Sequence, residues 1–307
     1  MYDLIIIGGG PAGAAAAVYA ARKRLKSAII AGEWGGQSNV SEGIENWIGT
    51  PTISGADLAK SFETHVKQYA GDIVDVKVPE WVKNISQSGN GFTVETDKGS
   101  YGTKTVLITS GSKRRRLEVP GADTFEHKGL TYCASCDGPL FAGQDTVVVG
   151  GGNAAFETAA QLLAYAKSVT LLNRSETLKA DPVTIDEVKK HPNFKLVLNA
   201  QPKEIKGDKF VSSIVYTDTK ENKDIELAAP GIFVEIGLIP ATNITKDVVK
   251  LNDYGQIEID PWNQRTSTLG IWAAGDCTNV KYHQNNIAAG DAVKALEDIY
   301  LFLKAGK

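Results

Sequence analysis

Cys133 and Cys136, in the run Tyr132-Cys-Ala-Ser-Cys-Asp-Gly-Pro139, are the residues of this chain whose types and spacing most directly carry chemistry. A Cys-x-x-Cys spacing brings two sulfurs close enough for an easily reduced disulfide and lowers the pKa of one thiol, so that it attacks as thiolate. Asp137 follows directly, where an acid can give a proton to a leaving thiolate or take one from a thiol. The same spacing is also half of a tetrahedral zinc site. A full cage needs two more ligands, yet the chain has no second cysteine pair and only His65, His127, His191 and His283, none of them paired. Redox chemistry is therefore the expected use of the pair and no metal is expected. The third cysteine, Cys277, is uninformative by itself.

The elements that must position this pair are legible on either side of it. Near the N-terminus an apolar strand, Asp3 to Ile7, runs into Gly8-Gly-Gly10-Pro-Ala-Gly13 and an alanine-rich helix through about Ala21. A second strand, Ala28 to Ala31, then ends at Gly32-Glu33, so that an acid stands 25 positions after Gly8. This is the order of a dinucleotide-binding unit: the glycines let the backbone approach a pyrophosphate, the helix N-terminus supplies amide dipoles, and the acid meets a ribose. The pattern recurs after the cysteines as Thr146-Val-Val-Val-Gly150-Gly-Gly152-Asn-Ala-Ala155, with a helix to about Tyr165 and a strand Val169 to Leu172. Ala155 stands at the last glycine position, a replacement the fingerprint permits. Between the two units, Phe92 to Thr96 and Tyr101 to Ile108 read as strands with turns at Ser88 to Gly91 and Lys98-Gly99. Lys195 to Val215 and Gly231 to Ile236 read as β-rich segments flanking the second unit. A terminal helix is expected from about Asn286 to Leu303.

The chain is thus expected to be α/β, with two Rossmann-like dinucleotide-binding domains. At 307 residues and 42% hydrophobic composition it is large enough for two cores. Thirty-three basic against 36 acidic side chains, a formal charge of -3, give no overall attraction to nucleic acid or to an anionic membrane, so neither is an expected partner. No apolar stretch approaches the roughly 20 residues of a membrane span, and no basic, signal-like segment precedes Leu4. Three cysteines are too few for a disulfide-stapled secreted scaffold, and the expected compartment is the cytoplasm.

Gly8-Gly-Gly-Pro-Ala-Gly13, Gly35-Gly-Gln37, Glu45-Asn-Trp47, Cys133-Ala-Ser-Cys-Asp-Gly138, Gly150-Gly-Gly-Asn153 and Ala273-Ala-Gly-Asp276, in this order and over nearly the whole chain, resemble the low-molecular-weight thioredoxin reductases. They are similar as well to the reductase portion of the alkyl hydroperoxide reductase flavoprotein, most closely in Cys136 to Phe141 and Ala273 to Cys277. That flavoprotein also carries an N-terminal thioredoxin-like extension with a Cys-x-x-Cys of its own, and the present sequence has one such motif only.

The resemblance implies the FAD/NAD(P) three-layer ββα type of fold, with the second domain inserted into the first. An FAD domain would comprise residues 1–112 and 242–307, and an NAD(P)H domain carrying the cysteines would span 113–241. It implies an FAD site of Gly8, Gly10, Pro11, Ala12, Gly13, Glu33, Gly36, Gln37, Asn46, Val82, Ser110, Gly111, Gly275, Asp276, His283, Gln284 and Asn285. It implies an NAD(P)H site of Gly150, Gly152, Asn153, Ala154, Ala155, Glu157, Arg174, Ser175, Lys179, Ile236 and Gly237. Cys136 would face the flavin, Cys133 would attack the partner, and Asp137 would be the acid/base. Electrons would pass from nicotinamide through flavin and the Cys133–Cys136 disulfide to thioredoxin or a thioredoxin-like protein, in a homodimer whose inserted domain rotates between two poses. His283-Gln-Asn285 departs from the family's Arg-Gln-Ala, which leaves position 283 open as a flavin contact.

The residues after Leu172, Asn173-Arg-Ser-Glu-Thr-Leu-Lys179, bear on the choice of nucleotide. A 2′-phosphate needs cationic donors where NADH needs an acid for its ribose. The NADPH-linked reductases have His-Arg-Arg and a further Arg here, of which Arg174 is kept and Ser175 and Lys179 are replacements. The NADH-using peroxide-reductase flavoprotein has an acid at the position of Asn173, and none stands there. NADPH is therefore expected over NADH, through Arg174, Ser175 and Lys179. Two other functions remain open at this point. One is a dithiol oxidase closing small disulfides with oxygen, against which Asp137 speaks because such enzymes tend to have His after the second cysteine. The other is a ferredoxin- or flavin-fed reductase, against which the intact Gly150–Ala155 loop speaks. The run Lys113-Arg-Arg-Arg116 is expected to be a solvated surface rather than a docking site.

Overall fold

Every residue of the first apolar strand, Tyr2–Ile7, that follows Asp3 is buried, because this strand lies in the middle of a parallel sheet with both faces covered. In the computed structural model, which describes residues 1–41, 43–245 and 247–305 without the side chains of Val40, Ser135 and Cys136, it pairs with Ser27–Ile30 on one side and Ser100–Ile108 on the other. Val74–Lys77 extends the sheet beyond Ser27–Ile30, and Ile271–Ala273 joins Ser100–Ile108, both in parallel. The antiparallel strands Val82–Ser88 and Gly91–Thr96 continue from the outer part of Ser100–Ile108.

The two-residue side-chain period divides the strand between two cores. Leu4 and Ile6 pack with Ala14, Ala17 and Ala21 of the helix Pro11–Arg22 and with Ala292, Ala295 and Leu296 of the terminal helix. Ile5 and Ile7 pack on the opposite face with Ile85, Phe92 and Val94 of the antiparallel strands and with Val249 and Ile257. Alanines along the first helix let two helices and a sheet approach closely without leaving cavities. The terminal helix, Asn285–Ala305, is tied down by Asp298, which accepts from Trp272 Nε1 at 2.8 Å and from Arg265 Nε at 2.6 Å. The helix Gly55–Ala70 starts at Ser54, whose hydroxyl oxygen caps Asp57 N at 3.1 Å.

The second unit repeats this logic. Five parallel strands lie in the order Phe194–Val197, Ser168–Leu172, Asp145–Val149, Gly231–Val234 and Leu130–Thr131. Val148, Leu171 and Phe233 face the helix Asn153–Leu162 through Phe156 and Ala159. Val147, Val149, Ile232 and Val234 face a three-stranded antiparallel sheet, Ala200–Gly207, Val211–Asp218 and Lys223–Ala228, through Ile205, Ile214 and Tyr216.

By its internal contacts the chain divides into Met1–Lys113 with Ile239–Lys307, and Arg114–Leu238. The second unit is therefore inserted into the first, and each is the three-layer nucleotide-binding fold expected. The helix expected to run to about Tyr165 ends at Leu162. There the chain turns: the carbonyl of Tyr165 accepts from Gly143 N at 2.9 Å and Lys167 N donates to Gln144 O at 2.9 Å, which leads the backbone into the next strand. No helix among the described residues is long and apolar enough to cross a membrane.

Candidate functional site

In the first unit, the strand Tyr2–Ile7 ends at Gly8, which adopts φ +125 so that the chain can turn into the helix. A Cβ on Gly8 would lie 2.2 Å from Thr109 O, and one on Gly13 only 1.8 Å from Gly8 O. Gly10 differs: it is the N-cap of the helix, it has no side chain, and nothing lies within 4 Å of where its Cβ would be. Pro11 takes the first helical position, where its missing N–H costs nothing, and Ala12 is buried behind it. Glu33 is exposed beside this loop, its carbonyl oxygen packed against Gly9.

Residues more than two hundred positions apart meet at the same end of the sheet. Gln37 Nε2 donates to Ser112 Oγ at 3.0 Å and to Asp276 Oδ2 at 3.2 Å. Asn46 Nδ2 donates to Gln284 Oε1 at 3.2 Å, and Ser38 Oγ to Asn285 Oδ1 at 2.9 Å. A Cβ on Gly36 would lie 3.5 Å from Gly10 Cα, and one on Gly275, at φ +77, would lie 3.2 Å from Ala288 Cβ and 3.6 Å from Ala12 Cβ. Ser110 and Gly111 follow the strand Ser100–Ile108, and the backbone of Gly111 accepts from Ala241 N at 2.9 Å. Val82 opens its own strand, outside this hydrogen-bonded group. His283 is held locally, its Nε2 3.2 Å from Val280 O.

In the second unit, Gly150 turns at φ +150 and Gly152 caps the helix Asn153–Leu162, again with nothing within 4 Å of its Cβ position. Asn153 is tied to Asp181: its Oδ1 accepts from Asp181 N at 2.7 Å and its Nδ2 donates to Asp181 Oδ2 at 3.2 Å. Ala154 and Glu157 are exposed and Ala155 is buried against Gly150. Ile236 and Gly237 follow the strand Gly231–Val234. Arg174 and Lys179 are exposed, and neither is bonded to a described side chain. Ser175 is not left open to a ligand in this way. Its hydroxyl donates to Thr177 O at 3.0 Å within its own loop.

The cysteine motif sits on the same unit. The strand Leu130–Thr131 pairs with Gly231–Val234, and the chain then makes one helical turn, Ala134–Asp137, anchored by buried Ala134 and by Phe141, whose ring packs edge-on to Phe233 at 5.5 Å. Cys133 is half-buried and its sulfur is in a disulfide. The Cys136 side chain, expected to face a flavin, lies outside the described residues. Cys277 is a free thiol, fully buried, and burial pushes it up to about 11, which removes it from redox chemistry near neutral pH. Thr131 was not legible as a site residue. Its buried hydroxyl donates to Asp137 Oδ2 and accepts from Cys133 N at 3.3 Å, so one side chain links the backbone of Cys133 to the neighbouring acid.

Against known proteins, the model of the pyridine nucleotide-disulphide oxidoreductases matches residues 2–292. The chain belongs to that family. It is 40% identical over 297 residues to the "NADH dehydrogenase" of Bacillus subtilis, covering 96% of this chain and 57% of that one. It is 40% identical over 298 residues to the F subunit of the alkyl hydroperoxide reductase of Escherichia coli, with the same coverage of 96% and 57%. The chain thus spans little more than half the length of the curated relatives it matches. Among solved structures, a thioredoxin reductase of Streptococcus pyogenes aligns at a TM-score of 0.89 and 37% identity over 99% of both chains. One from Giardia duodenalis aligns at 0.89 and 29% over 98% of both.

Membership of the pyridine nucleotide-disulphide oxidoreductases implies a flavin and a pyridine nucleotide, and the residues fit both. The open Gly10 face leaves a pyrophosphate access to the helix N-terminus, and Gly36, which approaches Gly10, directly precedes Gln37 of the Gln37–Asp276 pair. In the inserted unit the open Gly152 face provides the equivalent access.

A second group without a signal in the sequence is Glu235, directly after the strand Gly231–Val234. Its carbonyl lies 2.2 Å from where a Gly150 Cβ would be, and its carboxylate accepts from Thr158 Oγ1 at 3.0 Å. Arg114, expected to be solvated, stands 3.8 Å from it, and Arg116 lies 3.5 Å from Glu126, so half of the basic run is spent on acids of its own unit. Burial pushes the Glu235 carboxyl from 4.5 up to about 7, against the opposing pull of Arg114. Between those two values the folded chain holds a proton that the unfolded chain releases, so stability falls as the pH rises through the window. Glu235→Gln is expected to remove that slope, on the order of 3 kcal/mol at most. Urea midpoints at pH 5 and pH 8 check it, and parallel shifts in wild type and variant would contradict the burial argument.

Proposed function

We propose that this pyridine nucleotide-disulphide oxidoreductase is a thioredoxin-disulfide reductase that takes electrons from NADPH, holds FAD, and works as a cytoplasmic homodimer. The observation that carries the reading is the Cys133 disulfide beside Asp137, on the unit that also bears the second open glycine loop. Bound FAD would supply the two-electron step between a nicotinamide hydride and a disulfide. Gly8, Gly10, Gly13, Glu33, Gln37 and Asp276 would hold it. Cys133 and Cys136, once reduced by two electrons, would be the dithiol. The Cys133 thiolate then attacks a sulfur of the partner's disulfide, a mixed disulfide forms and one partner thiolate leaves. Cys136 breaks the mixed disulfide, releasing the second partner thiolate and restoring Cys133–Cys136. Asp137 takes the proton from the attacking thiol and returns one to a leaving sulfur.

NADPH is favoured because Asn173, not an acid, follows the strand Ser168–Leu172, while Arg174 and Lys179 are exposed and Glu176 is paired with Lys220. The name of the Bacillus subtilis relative points to NADH. Anaerobic oxidation of NADPH and of NADH with a thioredoxin disulfide, followed by titration of the thiols formed, tests the proposal. Thiol formation with NADPH supports it. Hydrogen peroxide from a small dithiol and oxygen, with no thiol formed on thioredoxin, would favour the dithiol oxidase instead.

Thr131 enters this scheme as a positioning residue. Thr131→Val keeps the shape and removes both the hydroxyl's bond to Asp137 and the bond it accepts from Cys133 N, so kcat is expected to fall about tenfold or more. Thr131→Ser is expected to restore it. The pH dependence of kcat/KM for thioredoxin is the discriminating measurement: an unchanged profile in Thr131→Val would show that the hydroxyl does not act through Asp137.

A further inference from the structure

We propose that Asn173 is a specificity-determining positioning residue, which holds the loop after its strand closed so that Arg174 and Lys179 stand free for a 2′-phosphate and no ribose-binding acceptor is offered. The inference rests on the NADPH reading and extends it from the cations to the side chain that organises them.

Asn173 follows the last residue of Ser168–Leu172, the place at which a Rossmann unit presents its ribose-binding acid. The residue is only 6% exposed, and its side chain turns inward onto its own loop. The Oδ1 atom lies 2.1 Å from where a Cβ on Gly151 would be, so the side chain fits because that residue is glycine. Nδ2 donates to Ser175 O at 2.8 Å and to Thr177 O at 3.1 Å. The far end of the loop is pinned to the same glycine turn, because Lys179 N donates to Gly151 O at 2.8 Å. The loop is thus fastened at both ends beside the turn whose next residue, Gly152, has open space in its Cβ direction.

The chemistry of the position follows from its two carbonyl partners. Both need a donor, and an amide nitrogen is one; an ionised carboxylate only accepts. Aspartate there would set the carboxylate oxygen that replaces Nδ2 against both carbonyl oxygens. It would relax by swinging out toward the nucleotide, where it could accept from ribose hydroxyls and repel a 2′-phosphate. One substitution therefore acts on both arms of the specificity: it loosens the loop that carries the cations and supplies the acid that NADH uses.

The test is calorimetric binding of 2′,5′-ADP and of 5′-ADP to the FAD-containing protein, with flavin reduction by NADPH and NADH run in parallel. Wild type is expected to bind 2′,5′-ADP at least about tenfold more tightly, the worth of one or two charge-assisted bonds. Asn173→Asp is expected to lose that preference through both weaker 2′,5′-ADP and tighter 5′-ADP binding. Asn173→Ala deletes the amide without adding charge, and is expected to weaken 2′,5′-ADP while leaving 5′-ADP unchanged. Variants that keep the wild-type ratio would overturn the role of Asn173 while leaving the NADPH reading intact. A wild type with no preference for 2′,5′-ADP would overturn the NADPH reading, and the inference with it.

Discussion

Cys133→Ser is expected to lower turnover with a thioredoxin disulfide by at least about a thousandfold, the scale on which loss of an attacking nucleophile is felt. The substitution exchanges one small atom at a half-buried position and also opens the disulfide, so flavin content should stay at the wild-type value and the melting temperature at that of the reduced wild type. The two cysteines are expected to fail differently. With Cys136→Ser, Cys133 still attacks but nothing resolves the product, and a covalent complex with thioredoxin should accumulate on a non-reducing gel. With Cys133→Ser no such complex should form. The reverse pattern would exchange the two roles. Cys277→Ser is expected to change neither result, because that thiol is fully buried and no partner sulfur can reach it.

The first glycine loop gives the second large effect, and its glycines are expected to separate cleanly. Gly10→Val meets no protein atom within 4 Å of its Cβ and sits at φ -77, which any residue adopts. It should therefore fold normally and fill only the space through which a pyrophosphate reaches the helix. FAD content of the purified protein is expected to drop at least about tenfold, with the melting temperature of the flavin-free protein unchanged. Gly13→Ala is different, since its Cβ would lie 1.8 Å from Gly8 O. Here the backbone itself must move, and the flavin-free protein should melt lower as well. Full flavin occupancy in Gly10→Val would show that the cofactor does not approach by this face.

Both glycine loops were legible in the sequence because their signal is backbone geometry: a short apolar strand, three glycines and a helix leave few alternatives. The sheet strands were legible for a related reason. Tyr2–Ile7 and Asp145–Val149 are apolar on both faces, as only strands covered on both sides can be. Thr131, Asn173 and Glu235 were not legible as they act in the fold. Thr131 stands six positions before Asp137 with no pattern to mark it, and its role exists only because a one-turn helix folds the acid back over it. Asn173 could be read as a missing acid, but its inward turn depends on the absence of a side chain at Gly151, 22 positions earlier. Glu235 is one carboxylate among many until the helix Asn153–Leu162 covers it. The end of that helix was overestimated because Leu163 to Ala166 keep its composition, while the hydrogen bonds from Gly143 and to Gln144 take the chain elsewhere. Side-chain satisfaction is a tertiary property, and local sequence carries little of it.

The proposed electron path runs from a nicotinamide to the Cys133 sulfur. It is tested most directly by adding NADPH anaerobically to the FAD-containing protein, with no partner present, and alkylating the thiols that appear. Mass spectrometry then reads each cysteine. The expected result is alkylation of Cys133 and Cys136 only after NADPH, with Cys277 unmodified in the folded protein. A flavin that bleaches while Cys133 stays in its disulfide would contradict this path.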